Sequence, residues 1–175
     1  MKKTNLIRIK FSGEVLSSNA KKAIDLCSKS RFGELKRGKI VYSFPEALYL
    51  VEEKKATVYD SGKKLSFDKL VSRLREIDKK IMTKYIVFKD LRKRGYIIKT
   101  ALKFGAEFRV YDKGVKPGKK HAKWILFPVS ENSESTWQDF SARNRVAHST
   151  KKNLLIAIVD SENDVSYYEI KWVKV

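Results

Sequence analysis

The sequence predicts an α/β (α+β) protein in which strands and helices mix in both halves of the chain. Three observations carry that prediction. Leu6, Ile7, Arg8, Ile9, Lys10 and Phe11 alternate between apolar and polar, the period of a half-buried strand. Phe67, Leu70, Val71, Leu74, Ile77 and Ile81 recur at helical spacing and form a single apolar face. After Gly95 the period returns to that of strands.

The elements follow in order. The first strand covers Leu6 to Phe11. Asn19 to Ser28 reads as a short helix with Asn19 as its N-cap. Cys27 lies on the face of that helix with Ala20, Ala23 and Ile24, so it reads as a small buried hydrophobe. Lys39 to Ser43 is a strand. Pro45 suits the first turn of a helix carrying Ala47, Leu48, Leu50 and Val51. Ala56 to Tyr59 is a strand, closed by the turn residues Ser61 and Gly62.

Ser66 caps the clearest helix. Tyr85, Phe88 and Leu91 continue its spacing, and no Pro or Gly interrupts Phe67 to Arg94 before Gly95 stops it. A domain boundary is expected near Thr83, giving domains 1–82 and 83–175. Tyr96 to Thr100, Glu107 to Asp112 and Lys123 to Val129 read as strands, and Thr136 to Ala147 as a helix. Leu154 to Asp160 is continuously apolar, as expected of a central strand covered on both faces. Ser161 to Asp164 turns the chain into a last strand, Val165 to Val173.

Charge narrows the function. Lys and Arg total 39 against 20 Asp and Glu, a formal net charge of +19. Neutralised phosphates release counterions, so such a balance favours a nucleic acid over a neutral partner. An anionic membrane is the alternative, but no basic amphipathic anchor accompanies the charge. No apolar run approaches the ~20 residues of a membrane span, so a cytoplasmic protein is expected. One cysteine excludes an internal disulfide and a Cys-based zinc site.

Three residue types in the second half can cleave RNA without a metal: Tyr111, His121 and Lys152. One group takes a proton, one gives a proton, and one neutralises charge on phosphorus. Phe108 and Val110 take one face of their strand, so Arg109 and Tyr111 share the other. A strand Tyr can equally be a packing residue. A phenol has a reference pKa near 10, and a neighbouring ammonium favours its ionised form. His121 follows Lys119 and Lys120 in a basic loop suited to phosphate contact, and imidazole carries a proton near neutrality. Lys152 has Lys151 beside it, and composition does not choose between them.

The segments Tyr85–Thr100 (YIVFKDLRKRGYIIKT), Lys103–Tyr111 (KFGAEFRVY), Arg145–Ser149 (RVAHS) and Leu154–Asp160 (LLIAIVD) resemble the archaeal tRNA-splicing endonucleases, the tRNA-intron lyases. A weaker match through Pro45–Leu50 and Leu65–Phe67 extends the resemblance over the whole chain, in the short two-domain form. It implies a small α/β N-terminal domain and a restriction-endonuclease-like C-terminal domain with a central mixed sheet. It also implies attack of a ribose 2′-OH on the adjacent phosphodiester of a precursor tRNA folded as a bulge-helix-bulge. The products would be a 2′,3′-cyclic phosphate and a 5′-OH, with no cofactor and no metal.

The family's Tyr, His and Lys fall on Tyr111, His121 and Lys152. Arg145 matches an arginine that pinches a bulge base, and Trp172 is a candidate for stacking on RNA, with core packing or a subunit contact as its alternatives. Lys119 and Lys120 join the RNA-binding candidates. His148 matches a segment outside the triad and is expected to be structural. The acidic turn Asp160, Glu162 and Asp164 has three readings: a solvated turn, a divalent metal site, or a loop that docks into a neighbouring subunit of a homotetramer, with a heterotetramer needing the same features. The resemblance favours the last, with the final strand pairing with its symmetry mate. Two other functions compete. A metal-dependent nuclease could use Glu107, Asp112 and Asp160, but Arg109 stands where a Glu-x-Lys site needs its lysine. A non-catalytic RNA-binding subunit would not need all three positions filled.

Overall fold

The computed structural model describes residues 6–115, 117, 118 and 120–173. The chain divides into two compact units, one running to Tyr85 and the other beginning at Ile86. Both are mixed α/β layers.

The first unit contains β1 (Ile7–Ser12), β2 (Val15–Ser18), α1 (Lys21–Ser30), β3 (Glu34–Lys36), β4 (Lys39–Tyr42), α2 (Phe44–Glu52), β5 (Ala56–Asp60), β6 (Lys63–Lys64) and α3 (Phe67–Ile77). Its sheet runs β3-β4-β2-β1-β5-β6, with β1 and β5 parallel and the other neighbours antiparallel. Ile7, Ile9 and Phe11 are buried while Arg8, Lys10 and Ser12 are exposed, as the alternation requires. Ser61 and Gly62 both have positive φ, 47° and 82°, the conformation that closes the two-residue β5–β6 hairpin.

Buried Glu46 fastens α2 to the β3 end of the sheet. Its Oε1 accepts the Gly33 N–H at 2.9 Å, and its Oε2 accepts the Ser43 N–H at 2.9 Å and the Ser43 hydroxyl at 3.0 Å. A buried carboxylate needs such partners.

Several expectations need correction. β2 and β3 were not anticipated, because one is a short Ser-containing strand and the other a three-residue edge strand with Leu35 largely exposed. α1 is capped by Ala20 rather than Asn19, and the Ala20 N–H is anchored on Ser18 Oγ at 3.3 Å. Of the apolar face assigned to α1 only Ala23 is fully buried. Ile24 is exposed, and Cys27 is half-buried with its thiol donating to the Gly33 carbonyl at 3.4 Å.

The long helix is two helices, α3 and α4 (Ile81–Lys93). Asp78 leaves the helical region at φ −134°, ψ 99°. Its carboxylate accepts the Lys80 N–H at 2.9 Å and the Lys84 ammonium at 2.7 Å. Asp78 therefore ends α3, and its carboxylate ties down the short connection to α4, so apolar spacing passes through a break.

The second unit adds β7 (Ile97–Ala101), a 3₁₀ turn (Leu102–Phe104), β8 (Ala106–Tyr111), β9 (Trp124–Ser130), α5 (Trp137–Ser149), β10 (Asn153–Val159) and β11 (Val165–Ile170). The sheet order is β11-β10-β9-β8-β7, with β9 and β10 parallel and the rest antiparallel. β9 is the middle strand, and β10 is flanked on both edges, by β9 and β11.

α5 packs on one face of this sheet. Ala147, Val146 and Phe140 meet Ile125, Leu154 and Ile156 there. On the opposite face Phe88 of α4 meets Phe108 with ring centroids 6.3 Å apart, and the Tyr167 hydroxyl donates to Asp90 at 2.7 Å. Burial and the bond to Asp90 push the Tyr167 phenol up. α5 starts at a capping box in which Thr136 and Asp139 exchange backbone-to-side-chain bonds of 3.1 Å. That partnership holds the Asp139 carboxyl below its usual value.

The last strand ends at Ile170, not Val173. Ile170 pairs with Leu154 and β10 begins at Asn153, so the chain beyond has almost no ladder left to join.

Candidate active site

Three strand ends meet at one end of the second sheet. β8 runs antiparallel to β9, so its last residue, Tyr111, lies by the start of β9. β9 and β10 are parallel and in register from Trp124 and Asn153. The residues just before them, Lys123 and Lys152, therefore lie at the same end. Backbone bonds seal the junction: Lys123 N–H donates to the Val110 carbonyl at 2.9 Å, and Asn153 N–H donates to the Lys123 carbonyl at 3.1 Å.

Lys152 is set by the way α5 stops. The Thr150 hydroxyl lies 2.9 Å from the Val146 carbonyl and 3.0 Å from that of Ala147, which satisfies the open helix end. Lys151 then turns at φ 55°, and Lys152 N–H bonds the Ala147 carbonyl at 2.9 Å. The half-buried Lys152 ammonium donates to the Thr150 carbonyl at 2.7 Å. Burial first, then the nearby Arg109 guanidinium, lower the Lys152 pKa from the ordinary lysine value.

Tyr111 is 5 % exposed, so its ring body is packed rather than solvated. Arg109 lies two residues before it on the same face, with its guanidinium 6.0 Å from the Tyr111 ring centroid. Buried Lys99 of β7 stands across from Arg109 in the ladder. His121 is exposed on the connection between β8 and β9. A cleft of about 260 Å³ joins these groups: Arg109, Tyr111, Lys120, His121 and Lys152 line it, with Gly118 and Ala122. Among the described residues lining it there is no carboxylate. An anion is the ligand such a wall attracts, and a phenol, an imidazole and an ammonium reach it together. Arg109 is the member that sequence reading passed over. Strand alternation placed it beside Tyr111, but only the fold brings it to the same cleft as Lys152.

Lys119 lies outside the described residues. Arg145 and Trp172 are both exposed and neither lines this cleft. Trp172 is not in the core: it is 59 % exposed and packs against the His148 ring, centroids 4.8 Å apart. The two rings line a second cleft of about 270 Å³ with Asn144, Lys151 and Asn153, and Lys152 belongs to both.

In the acidic turn, Asp160 Oδ1 accepts the N–H groups of Glu162 at 2.9 Å and Asp164 at 2.8 Å. That oxygen shapes the turn and leaves Glu162 and Asp164 exposed at its tip. Among the described residues no group of three or more His, Cys, Asp or Glu is placed to hold a metal ion. No described helix is long and apolar enough to cross a membrane.

Comparison with known proteins places the chain in a family. The family model for the tRNA intron endonuclease catalytic C-terminal domain matches residues 81–167, and that for its N-terminal domain matches residues 10–71. This chain belongs to the tRNA intron endonuclease family. The match to the catalytic domain contains Tyr111, His121 and Lys152 and every residue of the first cleft. Relatives named tRNA-splicing endonuclease align over most of the chain. One from Thermococcus onnurineus is 47 % identical over 169 residues, 96 % of this chain and 97 % of that protein. One from Pyrococcus horikoshii is 43 % identical with the same two coverages. One from Nanoarchaeum equitans is 42 % identical over 135 residues, 74 % of this chain and 86 % of that protein.

Proposed function

We propose that this chain is a tRNA-splicing endonuclease that cuts precursor tRNA at bulge-helix-bulge exon–intron junctions in the cytoplasm. The observation that carries the reading is the single cleft shared by Tyr111, His121 and Lys152 at one end of the second sheet. Residues 83–175 form the catalytic domain and residues 1–82 the N-terminal domain.

The reaction is an internal transesterification. Tyr111, as general base, takes the proton of the ribose 2′-OH. The 2′-oxygen bonds to the adjacent phosphorus, and the bond from phosphorus to the 5′-oxygen breaks. His121 gives its proton to the departing 5′-oxygen. The Lys152 ammonium neutralises the extra charge on the five-coordinate phosphorus, and Arg109 adds a fixed positive field beside it. The products are a 2′,3′-cyclic phosphate and a 5′-OH.

Arg145 and Trp172 supply a guanidinium and an indole for unstacked bulge bases, and Lys119 and Lys120 contact phosphate. Glu162 and Asp164, presented by the turn that Asp160 shapes, dock into a basic cleft of a neighbouring copy. β11 is an edge strand with a free ladder side, so its symmetry mate can extend the sheet. The working particle is a homotetramer with twofold axes.

Bulge bases are read because they are already unstacked. Pairing both bulges into a continuous duplex adds an unstacking cost of a few kcal/mol, so the cleavage rate should fall by about tenfold or more. Equal rates on the bulged and the fully paired RNA would remove the bulge-helix-bulge specificity from this reading.

A further inference from the structure

The first unit carries a basic, uncovered sheet face that the reaction does not use. Register places Arg8 and Lys10 of β1, Lys39 of β4 and Lys64 of β6 on the same side, with Tyr59 of β5 between them. All four cations are exposed. Lys36 of β3 shares this side with Glu34, the acid it pairs with at 3.3 Å. The Arg8 guanidinium lies 4.1 Å above the Tyr59 ring centroid, which holds its plane against the sheet. A cleft of about 350 Å³ opens there, lined by Arg8, Lys10, Ser17, Asn19, Lys39 and Tyr59. Among the described residues lining it there is no carboxylate.

We propose that this face binds the phosphate backbone of the RNA substrate at a distance from the scissile bond, and so serves as a second RNA-binding surface. The inference rests on the RNA-cutting function proposed above for its choice of polyanion.

The spacing of the charges supports an extended anion. Arg8 and Lys10 are two residues apart on one strand, about 7 Å. Lys39 lies two strands away, about 10 Å across the sheet. A single compact anion cannot touch all three, whereas a strand of phosphates can. Ser17 and Asn19 add neutral hydrogen-bonding groups between the cations, and Tyr59 offers a ring edge to a sugar or base. The same face of a second copy is repelled by its own charge.

The test is a triple variant, Arg8→Gln, Lys10→Gln and Lys39→Gln, in the full chain, with precursor tRNA as the probe. Three lost phosphate contacts should lower the slope of log Kd against log salt concentration by about two to three, and weaken binding about tenfold or more near 0.1 M salt. The single-turnover rate at saturating RNA should match the unaltered chain. A control variant, Lys69→Gln, Arg75→Gln and Lys79→Gln, removes equal charge from the α3 region. An unchanged salt slope in the triple variant, or an equal loss in the control, would overturn the proposal. A fall in particle mass in the triple variant would also overturn it, by assigning the face to a neighbouring copy. Binding is read without cleavage, so an unaltered chain that binds but never cuts would sink the cleavage reading alone.

Discussion

Replacing His121 with Ala should slow single-turnover cleavage by about 10²–10⁴-fold and leave RNA affinity nearly unchanged. His121 is exposed on the β8–β9 connection, so its loss costs little packing. Its task is to protonate the 5′-oxygen as that bond breaks. A leaving group that needs no proton bypasses this task. A substrate with sulfur in place of the scissile 5′-oxygen should therefore be cut by the His121→Ala variant at close to the rate of the unaltered chain. If the variant cuts both substrates equally slowly, His121 is a binding or positioning residue and its assigned role fails.

Lys152→Ala should slow cleavage by about 10²–10³-fold, the cost of removing one positioned charge from a developing oxyanion. Lys151→Ala should have a far smaller effect, because Lys152 and not Lys151 lines the cleft with Tyr111 and His121. The pH dependence gives a second reading of the same residue. Lys152 acts only while protonated. Burial and Arg109 lower its pKa, so its contribution is complete at low pH and is lost as pH rises through a value below that of an ordinary lysine. Lys152→Arg keeps the charge throughout, so its rate should not share this alkaline decline. Arg109→Gln removes one of the two causes and should move the decline to higher pH. An alkaline limb that ignores both substitutions would assign it to another group.

Much of the fold is legible in local pattern. Strand alternation gave β1 and the facing of Arg109 with Tyr111, and the apolar run at Leu154 marked a strand covered on both faces. The mixed α/β organisation follows from those periods. What escaped has physical reasons. β2 and β3 are too short and too polar to show a period. Asp78 breaks a helix through its own carboxylate while the apolar spacing continues across it. Ile24 and Cys27 share helical spacing with Ala23, but spacing alone does not say how wide the buried stripe is. The site was legible as residue types and by resemblance, not as geometry. Nothing local places Lys152 beside Tyr111, because their meeting depends on the antiparallel β8–β9 and parallel β9–β10 pairings. The basic sheet face of the first unit likewise exists only through register between strands distant in sequence.

The measurement that tests the central claim most directly is incubation of the purified chain with a bulge-helix-bulge RNA in EDTA, followed by end-group analysis. A phenol, an imidazole and an ammonium performing the transesterification predict cuts at both bulges. They also predict 2′,3′-cyclic phosphate and 5′-OH ends, unaffected by chelation. Cleavage that appears only when magnesium is restored, leaving 5′-phosphate ends, would contradict the account.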